Sequence, residues 1–428
     1  MKRIGRVTSA FMRRTGLLLL ALLLVPSAGS PQQGTPLGPE FRVNTYTTGR
    51  QGLATVASDS SGNFVVVWTS AQDPGYGVFG QRYSVLGTPS GPEFQINSYI
   101  TGSQGGEDVA SDPSGNFVVV WVSDQDPGNG IFGQRYSSAG TPLGGEFRVN
   151  TSATNLQVEP SVAADTAGNF VVVWRRMNQA GPANHVIFGQ RYAGSGAPLG
   201  PEFRVNTYTT VPNYVSSPSV AMDAAGNFVV VWEGPDFGYV GGVFARRYAS
   251  SGAPLGPEFK VNTEIPWGSS SGVSVATNAA GAFVVVWSSN YQGYYGGFAD
   301  VRGRRFGRTG APVGGEFNVA SESEGYQVHP DVTMDSSGDF VVVWEKCPQG
   351  CAEGDVFGQR FDNSGTPSGG QFLVNTTTTG SQLGPAVASA PAGNFVVVWN
   401  GDQLDVSDVY AQRYSSIVPV ELMHWTIE

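Results

Sequence analysis

The chain has 428 residues, 40% of them hydrophobic and 14% charged, which is ample material for a large core and excludes wholesale disorder. Its 59 Gly and 27 Pro amount to about a fifth of the residues and exclude an architecture of long helices, because both residues break them. The formal charge of −10 argues against a nucleic-acid or anionic-membrane partner.

In chain order, Lys2, Arg3, Arg6, Arg13 and Arg14 precede an apolar run over residues 17–25 and the small residues Ser27, Ala28 and Gly29. Residues 1–29 read as a signal peptide, since nine apolar residues are too few for a bilayer that needs about 20. Without that segment the chain carries 19 basic and 34 acidic residues, a net −15. The expected location is secreted or periplasmic, with no membrane span in the mature chain.

From residue 30 onward the sequence repeats. The string FVVVW occurs seven times, ending at Trp68, Trp121, Trp174, Trp232, Trp287, Trp344 and Trp399; only Trp267 and Trp425 fall outside the series. Each repeat divides into four short strands separated by turn signals. In repeat 3 these are 160–164, then 170–174 after the turn DTAGN, then 187–192, then 202–206 after the turn GSGAPLGP. All five residues of FVVVW are apolar, so the second strand is covered on both faces, and the units must pack on one another. The first strands carry small residues, as in SVAAD and AVASA, suited to a crowded axis.

The sequence predicts an all-β, seven-bladed β-propeller of four-stranded antiparallel blades over residues 30–416, with a tail at 417–428. The segment GTPLGPEFRVNTYTT is a fourth strand at the amino end, while the last repeat stops after its third strand at 409–414. The N-terminal strand is therefore expected to pair into the last blade and close the ring. The element DxxGNFVVVW…GQRY…GxPLGxEFRVNT resembles the repeats of secreted bacterial seven-bladed β-propeller proteins. That resemblance implies the fold and no particular activity.

A four-stranded meander puts its 1–2 and 3–4 turns on one face, and its 2–3 loops and inter-blade links on the other. The 1–2 turns are nearly uniform (DSSGN, DPSGN, DTAGN, DAAGN, NAAGA, DSSGD, APAGN), and their Asp is expected to accept amides within the turn. The 2–3 loops differ from repeat to repeat, so a specific ligand is expected on that face. The candidate ligand-binding residues are its aromatics, Tyr76, Phe237, Tyr239, Trp267, Tyr291, Tyr294 and Tyr295, which suit stacking on sugar rings. The same loops hold Asp73, Asp126, Asp236, Asp300, Asp355, Asp402, Asp405 and Asp408, but no run has the alternating spacing of a calcium loop. No cofactor is expected, calcium being the one alternative.

The third-strand arginines, Arg82, Arg135, Arg191, Arg247, Arg305, Arg360 and Arg413, recur in every repeat and are expected to pair across strands with the Glu that opens most fourth strands. Cys347 and Cys351 are the only cysteines and are expected to form a local disulfide. His185, His329 and His424 sit in no catalytic signature.

The expected function is that of a monomeric, non-catalytic binding or scaffold module for carbohydrate or extracellular protein. The alternative is a glycoside hydrolase, or another hydrolase, at the channel mouth, whose two carboxylates would meet in space and not in sequence.

Overall fold

A computed structural model describes residues 35–416, apart from 73–74, 127–128, 178–184, 208–214, 237–238, 264–269, 291–298, 322–324, 349–352 and 404–405. The expected signal peptide and the tail at 417–428 lie outside the described residues, as does His424. Among the described residues all regular structure is strand, and the fold is an all-β propeller.

Repeat 3 shows how one unit is built. Its strands are Leu156–Ala164, Phe170–Met177, His185–Tyr192 and Phe203–Arg204, each antiparallel to the next. The second strand lies between two partners with side chains buried on both faces: Val171, Val172, Val173 and Trp174 are all at 0% exposure. The letters of the repeat have separate jobs. Phe170 stacks on Tyr192 at 4.8 Å between ring centroids, and Phe147 from the preceding repeat tilts against the same Tyr at 5.3 Å. The Asn206 side chain caps the Ile187 amide at 2.9 Å, and the Trp174 indole donates to Gln157 at 2.9 Å. Each core cluster spans two successive repeats, as where Val118, Val120 and Val149 pack on Val162, Val172 and Trp174. A fully buried Trp contributes at most about 4–6 kcal/mol by area.

Among the described residues, five sheets have four strands and a sixth has eight, because repeats 1 and 2 are joined by a short parallel pairing, Gly75 to Gly102 and Tyr76 to Ser103. The first strands pack in a cycle, each on that of the next repeat, and that of repeat 7 (Gln382–Ser389) returns to that of repeat 1 (Gln51–Ser58). The N-terminal strand Phe41–Arg42 pairs with Val406–Tyr414 and completes the sheet of repeat 7, as expected.

The uniform turns behave as their Asp predicts. Asp165 Oδ1 accepts the Ala167 and Asn169 amides, both at 2.9 Å, and Oδ2 accepts the Asn169 side chain. Gly168 has φ 76°, open to glycine at little cost. Asp165→Ala leaves those donors without their acceptor and is expected to cost about 1–3 kcal/mol; a denaturant midpoint unchanged from wild type would contradict this role.

The third-strand arginines require a correction. They do not pair with the fourth-strand Glu residues; each reaches a backbone carbonyl just after the third strand of the next repeat. Arg82 donates to Ser138 O at 2.7 Å, Arg191 to Ser250 O at 2.6 Å, and Arg413 closes the cycle on Val85 O at 2.7 Å. The turn glycine supplies the slot: a Cβ on Gly140 would sit 2.6 Å from Arg82 Nε. The Glu residues face the other way and cap the preceding repeat, as Glu146 does for the Ser98 amide and hydroxyl, both at 2.9 Å.

Candidate functional site at the channel mouth

Every first strand carries a β-bulge at the same place, where the register skips two residues, for example between Val158 and Ser161. The first skipped residue has positive φ in all seven repeats: Leu53, Gly106, Glu159, Ser217, Gly272, His329 and Gly384. Three are glycine, which takes this conformation freely. Holding the other four there costs of order 1 kcal/mol each. Bulges re-aim side chains, and these lie on the inter-blade-link end of the innermost strands, at the mouth of the channel. Beside each stands the residue that follows FVVVW: Thr69, Val122, Arg175, Glu233, Ser288, Glu345 and Asn400. These two positions change from repeat to repeat while the surrounding scaffold repeats, so the mouth is chemically asymmetric.

Repeats 3 and 4 form its acidic side. Glu159, with its side chain 38% exposed, makes an ion pair with Arg175, and its Oε2 accepts the Ser217 amide at 2.8 Å. Glu233 is 5% exposed; its Oε2 accepts the Ser216 hydroxyl at 2.9 Å, and its Oε1 has no partner at ordinary hydrogen-bond geometry. Burial pushes the Glu233 carboxyl up to about 7, with the charge of Glu159 adding to the effect and hydroxyl and amide contacts opposing it. Two neighbouring carboxyls thus sit in opposite environments, one against a guanidinium and one desolvated. His185, at the start of the third strand of repeat 3, is buried and pushed down by burial and by Arg175.

Repeats 1 and 2 form a more apolar side. A cleft of about 640 Å³ runs over them, lined by Leu53, Thr69, Tyr76, Val122 and Asp124 and reaching Glu159. Below it Glu107 is buried, takes a hydrogen bond from the Thr69 hydroxyl at 2.7 Å, and is pushed by burial up to about 8. Lower in the channel Asp108 and Asp331 each accept a hydroxyl and a backbone amide of neighbouring repeats. Burial raises both, Asp108 to about 6. The clefts on the opposite face recur at equivalent turns, with an Asp and an Arg of the repeat in each, and belong to the scaffold.

Of the aromatics singled out in the sequence, Tyr76 is described, 39% exposed, and lines the cleft. Tyr239 begins a strand, Tyr239–Tyr248, with its side chain outside the description; Phe237, Trp267, Tyr291, Tyr294 and Tyr295 lie outside the described residues altogether. Among the loop acids, Asp126 pairs with Arg148 at 3.0 Å and Asp408 accepts the Asn44 side chain at 2.7 Å. No group of three or more His, Cys, Asp or Glu among the described residues could hold a metal ion. Cys347 is buried and is not a free thiol; Cys351 lies outside the described residues. The mouth residues Glu107, Glu159, Glu233, His329 and Glu345 were missed as candidates in the sequence. Except for Glu107, their signal was available: the residue after FVVVW and the one six places before the turn Asp are where the repeat changes its chemistry.

No helix among the described residues is long and apolar enough to cross a membrane. No protein-family model matches the chain, and no curated protein matches it. Among solved structures it is similar to the polysaccharide lyase Uly1 (TM-score 0.52, 11% identity, covering 84% of this chain and 90% of that one). It is also similar to an ulvan lyase of family PL25 bound to -[GlcA(1-4)Rha3S]- (0.52, 9%, 86% and 95%). A third is an intramolecular trans-sialidase from leech (0.50, 10%, 88% and 70%). These likenesses show the propeller fold. The expectation of a non-catalytic binding or scaffold module is corrected by them: solved propellers of this shape include polysaccharide lyases and a trans-sialidase.

Proposed function

We propose that this chain is a secreted seven-bladed propeller that cleaves glycosidic bonds of a polysaccharide at its channel mouth. Seven blades follow when the eight-stranded sheet is divided at its short parallel link, each half being a complete antiparallel meander. The observation that carries the activity is the Glu159–Glu233 pair. Glu233, kept protonated near neutral pH by burial, gives its proton to the glycosidic oxygen as the bond to the anomeric carbon breaks. Glu159, oriented by Arg175 and the Ser217 amide, serves the anomeric carbon, as nucleophile or as base to a water according to the spacing of the two carboxyls. The cleft over repeats 1 and 2 holds the sugars to one side, with Tyr76 as a stacking surface. Export through residues 1–29 suits a polymeric substrate, and an oxidising compartment suits a disulfide between Cys347 and Cys351.

The test is release of new reducing ends from a panel of neutral and acidic plant, algal and animal polysaccharides. Turnover of at least one polymer by the folded protein is expected. A folded protein that cuts none of them overturns the reading.

A further inference from the structure

The mouth has a third side that the carboxyl pair does not use. His329, the bulge residue of repeat 6, is held at φ 50°, although glycine fills three of the seven equivalent positions. Its side chain is 63% exposed, and its Nδ1 lies 3.1 Å from Oε2 of Glu345, whose own side chain is 5% exposed. A buried carboxyl group thus holds an open imidazole through Nδ1, and Nε2 has no partner among the described residues. The next repeat contributes a glycine at its bulge, Gly384, and the uncharged Asn400, whose amide lies between Gly384 and the first strand of repeat 1. Beyond it stands Arg50, exposed, whose guanidinium has no hydrogen-bond or ion-pair partner among the described residues. A Cβ on Gly52 would lie 3.8 Å from both Arg50 Nε and Asn400 Oδ1, which places Arg50 at the junction of repeats 7 and 1. The mouth therefore carries two open cations, His329 on repeat 6 and Arg50, which lines the cleft over repeats 1 and 2 that reaches Glu159, in a chain of net charge −10.

We propose that His329 and Arg50 form a cationic wall that binds the anionic substituents, uronate carboxylates or sulfate esters, of the polysaccharide the mouth cleaves. The inference rests on the cleavage reading for its substrate and on this wall for its charge. Glu345 holds the imidazole above the ordinary histidine range through the hydrogen bond and its charge, against burial. The strands flanking His329 in the channel, Ser270–Thr277 and Gln382–Ser389, bring no titratable side chain. Asp331 lies two residues along its own strand, Lys346 follows Glu345, and Ala299–Phe306 behind brings Asp300, Arg302, Arg304 and Arg305. A raised histidine is cationic below its folded value and neutral above it, so charge-dependent binding is present at mildly acidic pH and fades as pH rises.

The test uses the full protein and three probes, polygalacturonate, dextran sulfate and neutral dextran, with binding measured by calorimetry at pH 6 and pH 8.5. At least one charged polymer is expected to bind more tightly than dextran. His329→Gly and Arg50→Gln should each weaken that binding about tenfold, as expected for loss of a hydrogen bond to a charged group. His329→Gly suits the local backbone but leaves the buried Glu345 with only the Gly384 amide at 3.4 Å, so its fold is checked by the thermal midpoint, and it should flatten the pH dependence. Which charged polymer responds separates carboxylate from sulfate. Dextran binding as tightly as both charged polymers, or both variants binding the charged polymers like wild type, overturns the proposal. Charged polymers held through His329 and Arg50 but never cut would sink the cleavage reading and leave this one standing.

Discussion

Deleting residues 34–46 is expected to destabilise the protein by about 5 kcal/mol or more, a loss comparable with the whole stability of many domains. The segment supplies the fourth strand of repeat 7, and it is bonded on both sides. The Val43 amide donates to Val409 O at 2.8 Å, Asn44 accepts the Val409 amide at 2.7 Å, and Glu40 accepts the Thr376 amide at 2.6 Å. Val43 is 3% exposed in the core between repeats 7 and 1, and Phe41 tilts on Tyr83 of repeat 1 at 5.4 Å. Burying two such side chains is worth about 1.5–3 kcal/mol apiece, and each hydrogen bond adds about 1 kcal/mol. The deletion also bares the edge of Val406–Tyr414, an invitation to association. Removing 417–428 takes away none of these contacts. Thermal and denaturant unfolding of the two truncations decides the matter: equal losses would count against closure by the N-terminal strand.

The fold was legible because most letters of the repeat do the same job from one repeat to the next. The apolar run marks a strand covered on both faces, the DxxGN turn marks a hairpin, and the misplaced fourth strand at the amino end gives the closure. The arginines were misread because pairing within a sheet was assumed, whereas the left-handed turn glycines, such as Gly140, open a slot to the next repeat that no spacing rule shows. The site was hidden for a different reason. The first strand of repeat 3 was expected to begin at 160 and begins at Leu156, so Glu159 fell in what was read as a link. A positive φ is usually announced by glycine, and four of the seven bulge residues are not glycine, His329 and Glu159 among them. The long variable loops are the conspicuous variation in the sequence, while the titratable groups of the mouth rise from the innermost strands and the ends of the FVVVW strands.

Glu233→Gln is expected to lower kcat about 10²–10⁴-fold on whichever polysaccharide is cleaved, the usual contribution of a positioned general acid. The amide keeps the size of the side chain and a donor to a substrate oxygen, but has no proton to give. The pH profile tests the same role independently. Burial raises the Glu233 carboxyl to about 7, so the active, protonated form is fully present at lower pH, and activity falls as pH rises through about 7. That alkaline limb should vanish from the residual activity of Glu233→Gln. Glu159→Gln should act differently: it removes the partner of Arg175, depresses turnover at every pH, and takes away the neighbouring charge that helps to raise Glu233. Arg175 is itself only 15% exposed, so this variant leaves a largely buried guanidinium unpaired and must be checked for folding. If Glu233→Gln keeps activity within tenfold of wild type, or keeps the alkaline limb near pH 7, the proton comes from another group. Glu107 would then be the next to replace, since it lies under the same cleft and burial raises it to about 8.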